Sequence, residues 1–317
     1  MSSQTSGLDE TGAPEAHPAA PTILSIPMAL VKAIRPKQAT KNLIVFAAIV
    51  FANQLTDLHK LKLVVLTFLL YCAVSGSIYL LNDILDVEQD RQHPKKRFRP
   101  IASGALPVPI AWAAFAILSF GGIAASTALK PLLGLTVGVY VALQVAYCLE
   151  LKHVVLLDVF SIAFGFVLRA VGGGVVIGLH ISHWLLLCTL MLALFMGFGK
   201  RRQELVLLGR QAGLHRAILD EYSLPFLDTL ITIVTGVTIV CYSVYSIQSE
   251  TAILHPHLWL TVPFVFYSIC RYLYLVFQKG WGGAPEDVLA KDRSLQVAMV
   301  LWFITVIALF RFDLLQP

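Results

Sequence analysis

The chain is 317 residues long, 57% of them hydrophobic and only 14% charged, with a formal net charge of +5. Soluble domains carry about 25% charged residues, so this composition excludes an ordinary water-soluble globule and points to lipid as the main solvent. The basic residues cluster beside apolar stretches, as membrane topology requires, and they give no reason to expect a nucleic-acid partner.

Residues 1–22, rich in Ser, Ala, Pro, Thr and Gly, have neither a basic start nor an apolar core. They predict a disordered tail and not a signal peptide, which leaves 23–317 as one membrane domain. From Ile23 to Leu43 the pattern is amphipathic, with Ile26, Leu30, Val31 and Ile34 set against Lys32, Arg35, Lys37 and Lys41. This predicts an interfacial helix broken at Pro36.

A helix crossing a hydrocarbon core of about 30 Å needs roughly 20 apolar residues. Nine stretches qualify, at about 42–57, 61–82, 107–128, 131–149, 154–174, 182–199, 226–248, 257–277 and 296–314, the first being the shortest. They predict an all-α polytopic membrane protein with nine transmembrane helices. Lipid tolerates only helices or closed barrels, and these runs are too long and continuous for barrel strands. Nine spans put 18 of the 24 Lys and Arg residues on one side and 4 on the other, with Arg169 and Arg271 inside spans. That asymmetry predicts a cytoplasmic N-terminus.

The second span ends in Asn82-Asp83-Ile84-Leu85-Asp86-Val87-Glu88-Gln89-Asp90-Arg91. If the helix continues, Asn82, Asp86 and Asp90 share one face and Asp83 joins them through its three- and seven-residue spacings. Carboxylates stacked this way at a membrane face repel one another, and a divalent cation relieves that repulsion. Hard oxygen ligands suit Mg²⁺ that bridges to phosphate. A solvated helix end is the bland alternative. The next loop, His93 to Gly104, carries Lys95, Lys96, Arg97 and Arg99. With Arg91 before them, these bases suit the diphosphate oxygens that the metal leaves free; a plain positive-inside loop would look the same if the acids were not beside it.

The five cysteines lie in apolar stretches without paired spacing, so they predict small buried hydrophobes and not a disulfide or zinc framework. Arg169 lies deep in its span. Asp158, eleven residues earlier, shares its face but sits about three turns away, too far for direct pairing. Gly172-Gly173-Gly174 follows no strand and precedes no Lys-Ser/Thr pair, so close helix packing is expected there.

Asn-Asp-x-x-Asp-x-x-x-Asp at 82–90, followed by Arg99-Pro100-Ile101-Ala102-Ser103-Gly104, resembles the first signature of the UbiA prenyltransferase superfamily. Tyr147-Cys148-Leu149-Glu150-Leu151-Lys152 is similar to the family's Tyr-then-Lys segment at the end of the fourth helix. The resemblance implies a UbiA-type bundle with a cytoplasmic active-site cavity and Mg²⁺–diphosphate chemistry. Members that prenylate aromatics carry a second Asp-x-x-x-Asp motif after the sixth helix. Here that place reads Gly199-Lys200-Arg201-Arg202-Gln203-Glu204-Leu205. This segment, with Pro285-Glu286-Asp287 and Asp292-Arg293, resembles the branch of decaprenyl-phosphate phosphoribosyltransferases.

That resemblance implies a bacterial inner-membrane enzyme. It would move 5-phosphoribose from phosphoribosyl diphosphate to a polyprenyl phosphate, making a precursor of cell-wall arabinose donors. The metal ligands expected are Asn82, Asp83, Asp86 and Asp90, with Lys152 and Lys200 beside them in catalysis. Substrate contacts are expected from Lys41, Asn82, Arg91, Lys95, Arg97, Arg99, Tyr147, Lys152, Lys200, Arg201 and Glu204. A polyprenyltransferase acting on an aromatic or quinone precursor is the alternative, and a lipid transporter a weaker one.

Overall fold

The structure, a computed structural model, describes residues 26–179, 181–209, 217–281, 288–289 and 291–313. The expected N-terminal tail and the acidic segment at 285–287 lie outside the described residues. Within them every regular element is helical: α1 (Ile26–Ile34), α2 (Ala47–Phe51), α3 (Leu58–Leu85), α4 (Val87–Gln92), α5 (Val108–Leu129) and α6 (Pro131–Leu149) come first. α7 (Leu157–Ile177), α8 (His183–Leu208), α9 (Leu224–Gln248), α10 (Glu250–Leu254), α11 (Val262–Gln278) and α12 (Arg293–Asp313) complete the chain.

Eight helices among the described residues are long and apolar enough to cross a membrane, where the sequence predicts nine. The difference falls on the first expected span. Arg35 precedes Pro36, which disfavours the right-handed helical region, and it adopts a left-handed φ of 58° that ends α1. Pro36–Phe46 then winds as a 3-10 helix before the five residues of α2. With rises of about 2 Å and 1.5 Å per residue, the two together extend roughly 30 Å. Asn42 anchors this segment to α3 by donating to Ser75 Oγ and Cys72 Sγ, both at 3.2 Å.

α3 starts at Asp57, whose carboxylate accepts from the His59 and Lys60 amides. Its 28 residues extend about 42 Å, beyond a hydrocarbon core of about 30 Å. Asn82 and Asp83 lie in the last turns of this helix, beyond the length that a hydrocarbon core requires. One core, around Val45, Ile49, Tyr71, Val137 and Tyr140, binds the 36–51 segment to α3, α6 and α7. A second, around Val159, Phe198, Leu227 and Tyr272, joins α7, α8, α9 and α11. Large apolar side chains such as Ile117 and Phe120 face outward, as lipid contact allows. Three cysteines are buried, as expected, but Cys72 is half-buried and Cys270 exposed on α11.

The triple glycine packs helices together as predicted. A Cβ on Gly172 would meet the Tyr71 ring, one on Gly174 the Ile181 side chain, and one on Gly173 the Val45 carbonyl. Tyr71 donates to the Leu168 carbonyl at 2.9 Å across the same seam. Because the obstacle at Gly173 is backbone, it cannot rotate away. Gly173→Ala is therefore expected to cost about 1–3 kcal/mol, visible as a lower melting temperature in detergent; an unchanged melting temperature would contradict the packing.

Candidate active site

The acidic run divides at Asp86, which ends α3 and begins α4 with φ −93° and ψ 8°. Two helical turns are about 7.2 residues, so positions seven apart share a face more closely than positions eight apart. Asp83 and Asp90 accordingly converge, and Arg99 Nη1 bridges them at 3.0 and 2.6 Å. Asn82 and Asp86 form a separate pair: Asn82 Nδ2 donates to Asp86 Oδ2 at 3.0 Å, and Lys152 Nζ meets Asp86 Oδ1 at 2.7 Å. The four residues thus make two adjacent couples and not the single shared face that the spacing predicts. No group of three metal-ligating side chains is gathered among the described residues.

Arg35 Nη2 reaches Asp83 Oδ1 at 2.5 Å, and its guanidinium lies over the Tyr79 ring. Its sequence context does not single it out, since it reads as one more base on an amphipathic helix. The Arg-Pro step that turns the chain there is the only local signal. Lys96 Nζ stands 3.9 Å from Asp90 Oδ1. Four cations therefore face three carboxylates at this end of α3.

The loop carrying Arg99 is itself built into the fold. Ile101 and Leu106 are buried against Leu80 and Ile84 of α3, and Gly104 closes the turn with φ 79°. The Pro-Ile-Ala-Ser-Gly run is thus a docking device that fixes the guanidinium. The other expected bases lie apart from the carboxylates. Arg91 binds Glu88 at 2.8 Å, Arg97 stacks over Phe98, and Lys95 is exposed.

Asp83 and Asp90 are 2% and 1% exposed. Asp83 Oδ2 and Asp90 Oδ1 are buried without a hydrogen-bond partner. Such atoms are costly unless something engages them. Two buried carboxylates, bridged by one guanidinium and each keeping an unengaged oxygen, are a donor set that fits a hard divalent cation.

A second ionic centre lies at the C-terminal end of α8. Arg201 is buried, with Nε donating to Asp158 Oδ2 at 2.7 Å and Nη1 to Glu204 Oε2 at 2.9 Å. Asp158 pairs with Arg201, and Arg169 instead donates to the Tyr140 hydroxyl at 2.7 Å and stacks on Tyr140 and Phe166. Tyr222 donates to Asp158 Oδ1 at 2.7 Å. Burial and that carboxylate hold the Tyr222 phenol above its usual range, so it remains a donor. Arg202 binds Asp228 at 2.6 Å and lies over Phe277. Lys200 is exposed and Lys41 half-buried.

The C-terminal end of α6 connects the two centres. Cys148 lies within electrostatic range of Asp83, Asp86 and Lys152, and Tyr147 within range of Arg201. Asp292 is held by Arg271 at 2.8 Å and accepts from the Leu295 amide, starting α12.

The model of the UbiA prenyltransferase family matches residues 43–204. A decaprenyl-phosphate phosphoribosyltransferase of Mycolicibacterium smegmatis is 35% identical over 310 residues, covering 94% of this chain and 98% of that protein. A protein of the same name from Mycobacterium tuberculosis is 34% identical over 282 residues, covering 87% and 92%. A UbiA homolog from Archaeoglobus fulgidus, solved with DMAPP and Mg²⁺, superposes with a TM-score of 0.68 at 16% identity, over 89% of this chain and 99% of that one. At that identity the likeness concerns the fold alone.

Proposed function

The chain belongs to the UbiA prenyltransferase family, and on that premise we propose that it transfers 5-phosphoribose from phosphoribosyl diphosphate to a decaprenyl-type polyprenyl phosphate. Diphosphate leaves, and the product is polyprenylphosphoryl-5-phosphoribose, a precursor of cell-wall arabinose donors. The observation that carries this reading is the charge at the two centres. Four cations face three carboxylates at the end of α3, and towards the end of α8 Lys200 is exposed next to Arg201 and Arg202, whose charges are matched by Asp158, Glu204 and Asp228. Such a site suits two anionic substrates. The names of the two mycobacterial relatives support the same donor and acceptor.

Mg²⁺ held by Asp83, Asp86 and Asp90, with Asn82 as ligand or orienter, would neutralise charge on the leaving diphosphate. The orphaned oxygens of Asp83 and Asp90 support that ligand set. Arg35, Lys96 and Arg99 donate charge-assisted hydrogen bonds to the diphosphate oxygens, and Lys152 adds a compact charge beside Asp86. The C1–O bond to diphosphate breaks as C1 of the ribose becomes oxocarbenium-like. An oxygen of the acceptor phosphate forms the new C1–O bond. That oxygen is already anionic, so no residue has to remove a proton. Lys41, Arg91, Lys95, Arg97, Tyr147, Lys200 and Glu204 are assigned to the rim that receives the sugar phosphate and the lipid phosphate.

The reading includes nine spans, the 36–51 segment crossing as the first by virtue of its extended 3-10 winding. The N-terminus and the site then face the cytoplasm of a bacterial inner membrane, in keeping with the distribution of Lys and Arg. Residues 23–317 are read as one catalytic domain.

Purified protein given labelled phosphoribosyl diphosphate, polyprenyl phosphate and Mg²⁺ is expected to make a lipid-linked phosphoribose. Prenylation of 4-hydroxybenzoate with no use of phosphoribosyl diphosphate would replace the assigned substrates while leaving the acidic site in place.

A further inference from the structure

Lys152 belongs to the short connection between α6 and α7, and such connections owe their precision to what they are tied to. After the 3-10 turn Leu151–His153, Leu156 adopts φ 68° and ψ −44°. A leucine takes up that backbone conformation only when its surroundings impose it. Two contacts do so. Its amide donates to the Tyr222 hydroxyl oxygen at 2.8 Å, and its side chain packs on the core around Phe198 and Leu227. The Tyr222 hydroxyl in turn donates to Asp158 Oδ1 at 2.7 Å, and Arg201 donates to the other oxygen of that carboxylate.

The two ionic centres differ in completeness. Asp158 is fully buried, and both its oxygens are satisfied within the protein. Asp83 and Asp90 each retain an orphaned oxygen. The acidic centre therefore has capacity left for a ligand, whereas the Asp158 centre is a finished fixture. Arg201 belongs to that fixture, its guanidinium taken up by Asp158 and Glu204.

We infer that Tyr222 and Asp158 are positioning residues that hold Leu156 in its turn and so set Lys152 against Asp86 and the diphosphate. The inference rests on reading Lys152 as a diphosphate contact. It predicts that the Tyr222 hydroxyl matters to anion binding only through Lys152.

The test is a double-mutant cycle on the full-length protein in detergent, with inorganic diphosphate and Mg²⁺ as the probe and affinity read by calorimetry. Tyr222→Phe is expected to weaken diphosphate binding about tenfold, and Lys152→Ala at least as much. The double variant should bind within about twofold of Lys152→Ala alone, because residues acting as one unit are not additive. A purely structural role would subtract the same factor in both backgrounds. That additive result, or unchanged affinity in Tyr222→Phe, overturns the proposal. If Tyr222→Phe is not recovered folded, Asp158→Asn carries the same cycle, since it weakens the charge-assisted hydrogen bond that fixes the Tyr222 hydroxyl against Leu156. The probe contains neither sugar nor lipid. Non-additive coupling without phosphoribose transfer by the wild type would sink the substrate assignment and leave the positioning role standing. Wild-type protein that binds no diphosphate would remove both.

Discussion

Asp86→Ala is expected to reduce transfer by roughly 10³-fold, the equivalent of about 4 kcal/mol of lost charge stabilisation at a metal-assisted leaving group, without unfolding the protein. Asp86 sits at the junction of α3 and α4, its side chain 23% exposed and bonded to Asn82 and Lys152. It fills no core position, so its removal leaves no cavity. The loss should appear in Mn²⁺ affinity as well as in turnover, while the melting temperature without metal moves little. Full turnover at ordinary Mg²⁺ would sink the assignment of the acidic couples. Unfolding of the variant would show that the Lys152–Asp86 contact holds the helix junction together.

Arg99→Gln is expected to give the largest change in stability. Among the described residues Arg99 alone bridges Asp83 and Asp90, two carboxylates that are almost fully buried. Removing it leaves Asp83 with Arg35 and Asp90 with the more distant Lys96, and takes away the charge that stands between the two carboxylates. Breaking a buried pair costs about 3–5 kcal/mol. Arg99 is itself 25% exposed, so water can reach part of the pair and the lower end of that range applies. The deficit should be large in EDTA and smaller in Mg²⁺, because a divalent ion can take over the guanidinium's role between the same two carboxylates. Turnover should also fall by about 10- to 100-fold, the value of one lost charge-assisted contact to the diphosphate. Thermal melting with and without Mg²⁺ separates the effects. Equal destabilisation in both conditions would mean that the metal does not engage Asp83 and Asp90.

Helix class and approximate span positions were legible because they follow from local composition. Runs of about 20 apolar residues can satisfy their backbone in lipid only as helices. The first expected span was not legible in form. Whether a segment winds as α or 3-10 depends here on the break at Arg35–Pro36 and on the tether from Asn42 to α3, and the tether spans 33 residues of sequence. Close packing at Gly172–Gly174 was readable from residue size. Its partners, Val45 and Tyr71, were not.

At the candidate site the sequence by itself determined which residues carry charge, because a run of Asn82, Asp83, Asp86 and Asp90 leaving an apolar helix has few explanations besides a cation and an anion. Only the tertiary structure decided how those charges are distributed. Asp83 pairs with Asp90 because seven residues complete two turns more closely than eight, and Arg35 enters from a helix 48 residues earlier. Arg201, a base in a basic stretch, is drawn inward because Asp158 on α7 is buried beside it. Charge is a property of each residue. The partner that neutralises it is a property of the fold, since in a low dielectric a buried ion must be matched by whatever opposite charge packing brings within reach.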